Sequence, residues 1–238
     1  MGKAGARHGR IVTVASEPSP GTTPSESRRP IARGADEFTR VLTFSDGVFA
    51  IAMTLLVVGI AVPTLKVADD EGELLRALGD LESSFVSFFI SFAVIGRYWI
   101  AHHHFFGLLR AIDYGLIWLN LLYLAFIAFL PFPTALLGAY FENPISIALY
   151  AVAVALVSGL EVVLFRHAHD RGLLVRQPPR DVYRWGTAMS LSPVVFFLGS
   201  IPLAFVDTTL AALFWLAAVP AQAVANRWKP SGADEYFK

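Results

Sequence analysis

A serine and an aspartate interrupt an apolar stretch near the start of the chain. Ser45 and Asp46 lie within residues 41–62, which contain no other charged side chain. As a helix this stretch reaches about 33 Å, enough to cross the hydrocarbon core of a bilayer. A carboxylate is costly in lipid, so Asp46 is expected to face protein or water.

Asp46 requires a partner, because a buried carboxylate without one is strongly destabilising. A simpler interpretation of the stretch is a helix cap with a snorkelling arginine. We favour a polar network, since Asp46 lies more than a turn inside the predicted helix. Its role is predicted to be structural rather than catalytic. The available partners are Arg40, Arg97, the histidines, among them His102, and Asn120, and together with Ser45 and Asp46 they make up the predicted network.

The three consecutive histidines at 102–104 invite a metal-site interpretation. Neighbouring residues on a helix point about 100° apart, so these side chains do not converge on one ion. The sequence has 0 cysteines, which excludes thiol catalysis and cysteine metal ligands. It also lacks a glycine-rich phosphate loop, an HExxH motif and a Ser/His/Asp order. We therefore predict no metal, no cofactor and no enzyme activity.

The same apolar stretch presents two distinct faces when it is drawn as a helix. One face carries bulky aliphatic residues, Ile51, Leu55, Val58 and Val62. The neighbouring face carries small residues suited to close helix packing, Gly47, Ala50 and Thr54. The bulky face has two interpretations. It either contacts lipid or a protein core, or it meets copies of itself in a symmetric oligomer and forms a hydrophobic constriction.

The composition identifies the elements that position these residues. Charged residues make up 16% of the chain, whereas soluble proteins carry about 25%. The deficit comes from long apolar runs, which predict an all-α integral membrane protein with six transmembrane helices in one six-helix unit. The predicted spans are approximately 41–62, 81–104, 114–137, 144–165, 185–206 and 208–226.

Charge distribution predicts the orientation of the chain. Six spans place both termini on one side, together with the basic loop 166–184, while the acidic loop 64–80 lies on the other. The positive-inside rule makes the basic side cytoplasmic, in a multi-pass protein of the plasma membrane. The net charge is +0, which gives no indication of a nucleic-acid partner. The predicted organisation is a disordered basic cytoplasmic tail at 1–38, a transmembrane domain at 39–228 and a cytoplasmic tail at 229–238.

A longer motif surrounds the serine–aspartate pair. It reads Arg40-x-x-x-Phe44-Ser45-Asp46-Gly47-Val48-Phe49-Ala50-Ile51. This motif resembles the first helix of the transmembrane protein 175 family of potassium channels, which has lysosomal members in animals and shorter prokaryotic relatives with one six-helix unit. Weaker similarity continues through Trp99-x-x-His102, Asn120 and Pro131-x-Pro133-Thr134. The resemblance is densest over 40–62 and hardly constrains residues 140–238.

The resemblance implies a homotetrameric channel in the lipid bilayer that conducts potassium passively through a pore lined by the first helix. On the matching positions, Ile51, Leu55 and Val58 would form the narrowest part. Thr54 would contribute to potassium preference, although its hydroxyl also has a local alternative, the carbonyl of residue 50 or 51. The resemblance further implies that the second and third helices hold the serine–aspartate motif in a polar network. It implies no small-molecule substrate beyond ions.

Two alternatives from other classes remain open at this point. One is a secondary transporter with a midplane site formed by Asp46, Arg97 and Asn120. The other is a membrane scaffold or sensor without ion flux, whose basic tail binds lipid or a partner. A potassium-selective or weakly selective cation channel is the predicted function.

Overall fold

Helices account for most of the chain in the computed structural model, which describes residue 2, residues 30–67 and residues 70–236. One pair of two-residue strands joins residues 31–32, before the first helix, to residues 111–112. The elements are β1 (Ile31–Ala32), α1 (Asp36–Val58), α2 (Glu71–Gly79), α3 (Glu82–Leu108), β2 (Ala111–Ile112), α4 (Tyr114–Phe129), α5 (Pro131–Ala139), α6 (Pro144–Asp170), α7 (Arg180–Ala204), α8 (Thr208–Leu216), α9 (Ala218–Ala225), and two short 3-10 helices (Asn226–Trp228 and Ala233–Glu235).

Within the described residues, 6 helical segments are long and apolar enough to cross a membrane. They are Asp36–Val58, Glu82–Leu108, Tyr114–Ala139, Pro144–Asp170, Arg180–Ala204 and Thr208–Trp228. The third segment joins α4 to α5, and the sixth joins α8, α9 and the first 3-10 helix. The predicted all-α membrane fold with six transmembrane helices is therefore confirmed.

The first span differs from its predicted boundaries of 41–62. Helix α1 begins at Asp36, where an acidic first turn complements the positive end of the helix dipole. It ends before Gly59, at which an added Cβ would lie 2.9 Å from the Cβ of Ala135 in α5. The chain therefore leaves the helix where it passes close to a neighbouring one. The residue that precedes Pro63 is also biased away from helix.

The basic loop is shorter than the predicted 166–184. Helix α6 continues to Asp170, and α7 begins at Arg180. Arg166 lies 3.6 Å from the Asp170 carboxylate one turn later, a spacing that supports the last turn of α6. The arginines of the predicted loop are thus mostly on helix ends rather than in irregular backbone.

The segment that precedes α1 is joined to the connection between α3 and α4. Ile31 pairs with Ile112 in the antiparallel β1–β2 ladder, and the backbone N–H of Arg33 donates to the carbonyl of Arg110 at 2.8 Å. Residues 30–38 therefore have a defined structure, in contrast to the predicted disorder over 1–38. The rest of that predicted tail, apart from residue 2, lies outside the described residues.

The predicted C-terminal tail also packs on the bundle as far as residue 236. Ala233 is fully buried, and the Lys229 ammonium lies 5.7 Å from the ring centroid of Trp185. Arg176 and Glu235 approach to 3.5 Å and tie this segment to the α6–α7 connection. Residues 229–236 thus cover one end of the helices instead of extending away from them.

Helix α6 lies at the centre of the bundle and packs on α4, α5, α7 and α8. Its buried surface is rich in small residues, which allow close approach of neighbouring helices, including Ala151, Ala153, Ala155 and Ser158. Helix α1 packs against α3, α4 and α5. The arrangement places α1 and its three neighbours to one side of α6, and α7 and α8 to the other.

Candidate functional site

Helix α1 has one buried face and one exposed face. The buried face carries Phe38, Ser45, Phe49, Ala52 and Leu56. The aliphatic residues of the predicted constriction lie on the exposed face, with Ile51 60% exposed, Leu55 45% and Val58 74%. Gly47, Ala50 and Thr54 are exposed beside them. A membrane helix that leaves this face uncovered within its own chain presents it either to lipid or to another copy.

The buried face is held by a chain of hydrogen bonds. The Asn120 side-chain amide donates to Ser45 Oγ at 3.0 Å, and its Oδ1 lies 2.9 Å from His102 Nε2. Ser45 Oγ in turn donates to the carbonyl of Val41 at 2.9 Å. All three side chains are buried. This chain joins α1, α4 and α3 through groups that have no water to replace them.

Aromatic rings pack around this chain. His102 stacks on Tyr123 with ring centroids 5.7 Å apart and planes 7° from parallel, and it lies 4.5 Å from the ring of Phe106. Phe49 of α1 contacts both His102 and Tyr123, at 5.4 and 6.1 Å. The polar chain is therefore enclosed on the buried side of α1, which fixes the rotation of α1 about its axis.

Asp46 has a different partner from any in the predicted network. The indole N–H of Trp99 donates to Asp46 Oδ1 at 2.9 Å. This bond joins α1 to α3 beside the buried chain. The motif Trp99-x-x-His102 drew attention to this tryptophan but did not predict its bond to Asp46.

Arg40 and Arg97, which the sequence placed in the predicted polar network, lie outside it in the structure. Arg40 is exposed, and its side chain makes no hydrogen bond or ion pair within the described part of the chain. Arg97 precedes His102 by five positions, which turns it about 140° around α3. It lines a cavity formed with α6, α7 and α9. Within residues 30–67 and 70–236, no bond joins Arg97 to Asp46 or Asn120, the other residues of the alternative transporter site.

Glu161 is the residue that sequence reasoning missed. It lies in α6, near the cytoplasmic-side end predicted from charge, and it lines the same cavity as Arg97. The cavity has a volume of about 320 Å³. An ionisable residue inside a membrane span was the available signal, because such residues are rare and usually functional.

Asp113 ties the start of α4 to the end of α6. Its Oδ1 accepts from the backbone N–H of Leu116 at 2.7 Å and lies 2.9 Å from His167 Nε2, and its Oδ2 lies 3.2 Å from Arg171 Nε. Burial alone would raise the pKa of Asp113, but these hydrogen bonds and charges outweigh it and lower the pKa below its ordinary value. At Gly115 an added Cβ would lie 2.7 Å from the His167 ring, so the two helices approach closely here.

The remaining predicted residues have local arrangements. The hydroxyl of Thr54 donates to the carbonyl of Ile51 at 2.9 Å, one of the two local alternatives considered for it. In the part of the chain that the structure describes, no group of three or more metal-binding side chains is arranged around a common point. His102 is buried, whereas His103 and His104 are exposed, so the three rings are dispersed around α3.

Comparison with known proteins identifies the family. Residues 40–131 match the sequence model of the endosomal/lysosomal potassium channel TMEM175. A potassium channel from Streptomyces collinus is 37% identical over 185 residues, which covers 74% of this chain and 86% of that relative. The chain belongs to the TMEM175 family. This family is one of ion channels rather than of enzymes.

Other TMEM175 relatives extend the comparison. A potassium channel from Chamaesiphon minutus is 38% identical over 179 residues, with 69% of this chain and 85% of that relative covered. The crystal structure of a lysosomal potassium-selective channel TMEM175 homolog from the same organism superposes with a TM-score of 0.68 at 30% identity, over 81% of this chain and 100% of that chain. The endosomal/lysosomal proton channel TMEM175 of Bos taurus is 36% identical over 132 residues, which are 49% of this chain and 28% of that protein.

Proposed function

We propose that copies of this chain assemble as a homotetramer that conducts potassium passively through a pore lined by α1. One observation carries this proposal. The face of α1 with Ile51, Leu55 and Val58 is uncovered, while the opposite side is anchored to α3, α4 and α5. An anchored helix with an exposed aliphatic face can line a central axis when symmetry repeats it.

The constriction would act through its hydrophobicity. Rings of Ile51, Leu55 and Val58 offer no oxygen to replace the hydration shell of an ion, so they control passage by pore width and by wetting. Val58 is the smallest of the three, so its ring would be the widest. The Thr54 hydroxyl lies beside Ile51 and would be the nearest side-chain oxygen to the narrow part. We assign it a contribution to potassium preference.

The polar chain on the buried side would set the diameter of the pore. A rotation of α1 by one residue moves the aliphatic face by about 100°. Such a rotation is opposed by the bond from Asn120 to Ser45, because breaking it leaves the Asn120 amide without that acceptor in a water-free environment. The bond between Asp46 and Trp99 adds a second attachment to α3.

The membrane placement belongs to the same proposal. Both termini lie on the cytoplasmic side of the plasma membrane, because arginines concentrate at the ends of α6 and α7 and at the α3–α4 connection. Proton conduction is a second candidate activity, since animal relatives matched over about half of this chain are described as proton channels. Both ions are therefore measured in the test.

The test is ion flux into liposomes that contain the purified protein. Wild-type protein is expected to leak potassium passively, and Ile51→Asn is expected to raise the flux or flatten ion preference by adding polarity to the constriction. Val195→Asn is the matched control, since Val195 is 67% exposed on α7, away from α1. It should leave flux at the wild-type level.

Two results would contradict the proposal. One is the absence of passive potassium flux from wild-type protein that is folded and oligomeric. The other is an equal effect of the α1 and α7 substitutions. Saturable uptake coupled to a proton gradient would instead support the transporter alternative, and a proton leak without potassium flux would favour the second candidate.

A further inference from the structure

A cavity of about 320 Å³ lies between α3, α6, α7 and α9, on the side of α3 that faces away from the polar chain of α1. It is at the end of the bundle where α3 and α6 finish and α7 begins. Its polar lining consists of Arg97, His104, Glu161, Ser190, Gln222 and Asn226. Neither the channel proposal nor any residue of α1 uses this space.

The two charged residues of the cavity have no direct protein partner. Within the described residues, neither the Arg97 guanidinium nor the Glu161 carboxylate forms a hydrogen bond or an ion pair, with each other or with any other group. Both belong to membrane-spanning helices. Charges at such positions are costly and are normally paired. Here an acid and a base face one space without closing on each other.

We propose that this cavity binds a zwitterion, a molecule with a carboxylate or phosphate group and an ammonium group. The planar guanidinium of Arg97 is suited to bidentate binding of the anionic group. The Glu161 carboxylate accepts hydrogen bonds from the ammonium. A simple anion would leave Glu161 unpaired and a simple cation would leave Arg97 unpaired. A zwitterion neutralises both and brings no net charge into the membrane region.

Other features of the lining fit a small amphiphilic ligand. His104, Ser190 and Asn226 also present side chains that make no hydrogen bond within the described chain, and they can bind the remaining oxygens. The apolar wall includes Ile100 and Met189, which would contact a carbon skeleton. The volume is at the lower end of the range of about 300–1,000 Å³ typical of small-molecule sites.

The C-terminal segment forms one wall of the cavity. Tyr236 lines it directly, and the preceding residues are fixed by the burial of Ala233 and by the contact between Glu235 and Arg176. The ligand has two possible sources with the same chemistry. It is either the headgroup of a zwitterionic lipid that enters from the bilayer or a soluble zwitterion that enters past this segment.

Ligand-dependent stability of the purified full-length protein tests the proposal. The test ligands are phosphatidylethanolamine in detergent micelles, soluble glycerophosphoethanolamine, and two compounds with a single charge, phosphatidylglycerol and ethanolamine. At least one of the two zwitterions is expected to raise the unfolding temperature in a saturable manner, because a ligand of the folded state stabilises it. The compounds with one charge should raise it far less.

Substitutions of the charged lining residues test whether stabilisation by a zwitterion arises from binding in the cavity. Arg97→Gln and Glu161→Gln are each expected to weaken zwitterion binding by about tenfold or more, since each removes one charged partner. Arg166→Gln and Glu142→Gln change matching charges on exposed residues elsewhere and should bind as wild type does. A double variant, Arg97→Gln with Glu161→Gln, retains no charge in the cavity and should fold without responding to the zwitterions.

The outcomes distinguish a soluble ligand from a lipid headgroup, and they do not depend on ion flux. A response to glycerophosphoethanolamine supports a soluble ligand, and a response to phosphatidylethanolamine alone supports a lipid headgroup. The proposal is overturned if neither zwitterion binds, if the single-charge compounds stabilise as strongly, or if the charge-neutral variants respond as wild type does.

Discussion

Two regions in the membrane-spanning part of this protein differ in whether their polar side chains are hydrogen-bonded. Between α1, α3 and α4, which we call the closed region, Asn120 bonds to both Ser45 and His102, and His102 Nδ1 has no hydrogen-bond partner within the described residues. Between α3, α6, α7 and α9, Arg97 and Glu161 face an open space and bond to nothing in the described chain. In a medium without water, the first arrangement stabilises one packing of the helices. The second adds nothing to the packing of the bundle, which is why we assign it to a ligand.

The two regions also differ in their relation to the family. The match to the TMEM175 sequence model covers residues 40–131, which include every member of the polar chain. The cavity straddles the end of that match, because α3 with Arg97 lies inside it, whereas Glu161 and the walls from α6, α7 and α9 lie beyond it. The anchoring of α1 is therefore associated with the part of the chain that identifies the family. The cavity combines a wall from α3 with walls from helices whose role the family resemblance leaves open.

Removing the central side chain of the closed region should have the largest effect on stability. Asn120→Leu leaves His102 buried without a hydrogen-bond partner and removes the donor to Ser45 Oγ, so we expect a loss of about 2–4 kcal/mol. Asn226→Leu is the matched change in the cavity and should cost less than about 0.5 kcal/mol. Unfolding midpoints of the purified variants compare the two. Equal losses of stability in the two variants would contradict the distinction between the closed region and the cavity.

The contacts of Asp113 with His167 and Arg171 are expected to stabilise the fold in a pH-dependent manner. Asp113→Asn is expected to cost about 1–3 kcal/mol at neutral pH, because it weakens a helix cap and removes the carboxylate beside His167 and Arg171. The pKa of Asp113 in the folded protein is lowered, so its contribution is fully present above about pH 4 and is lost as the pH falls through that lowered pKa. The stability difference between wild type and variant should therefore narrow below about pH 4. A difference that widens on acidification would be incompatible with this sign.

Loss of the hydrogen bond between Trp99 and Asp46, the second attachment of α1, should have a smaller effect on stability. Trp99→Phe removes the donor to Asp46 while keeping an aromatic ring, so we expect a loss of about 1 kcal/mol. Trp118→Phe is the control, because Trp118 is 71% exposed and donates no hydrogen bond within the described residues. Thermal unfolding distinguishes the two variants. A larger loss at Trp118 would show that aromatic size matters more than this bond.

The smallest effect is expected at Glu161. Without a ligand, Glu161→Gln should leave stability unchanged or slightly raised, because it removes an unpaired charge from the membrane region. Unfolding of delipidated protein measures this directly. A loss of more than about 2 kcal/mol would indicate that Glu161 has a structural partner and belongs with the closed region.

The length and composition of the apolar runs predicted the six spans, because runs long enough to cross a bilayer are rarely found outside membrane-spanning helices. Local chemistry also directed attention to Ser45, Asn120 and His102, since polar residues in such runs need partners. Their functional role remains a prediction. What the sequence did not supply was the rotation of α3, which turns Arg97 away from Asp46 and toward α6.

Helix ends were predicted less accurately than helix cores. The ends of α6 and α7 extend into the predicted basic loop, because charged side chains are compatible with helix outside the apolar core. The strand pair that joins Ile31 to Ile112 depends on tertiary proximity, for which two residues give no periodic signal. Glu161 was visible in the sequence but had no motif around it.

The central claim is that the aliphatic face of α1 lines a pore. The chain has 0 cysteines, so Ile51→Cys introduces a single thiol. In liposomes containing this variant, a bulky methanethiosulfonate reagent is expected to reduce potassium flux, and the same reagent on Val195→Cys is expected to leave it unchanged. If modification of Ile51→Cys, verified by mass, leaves flux unaltered, α1 does not line the conduction pathway and the account is wrong.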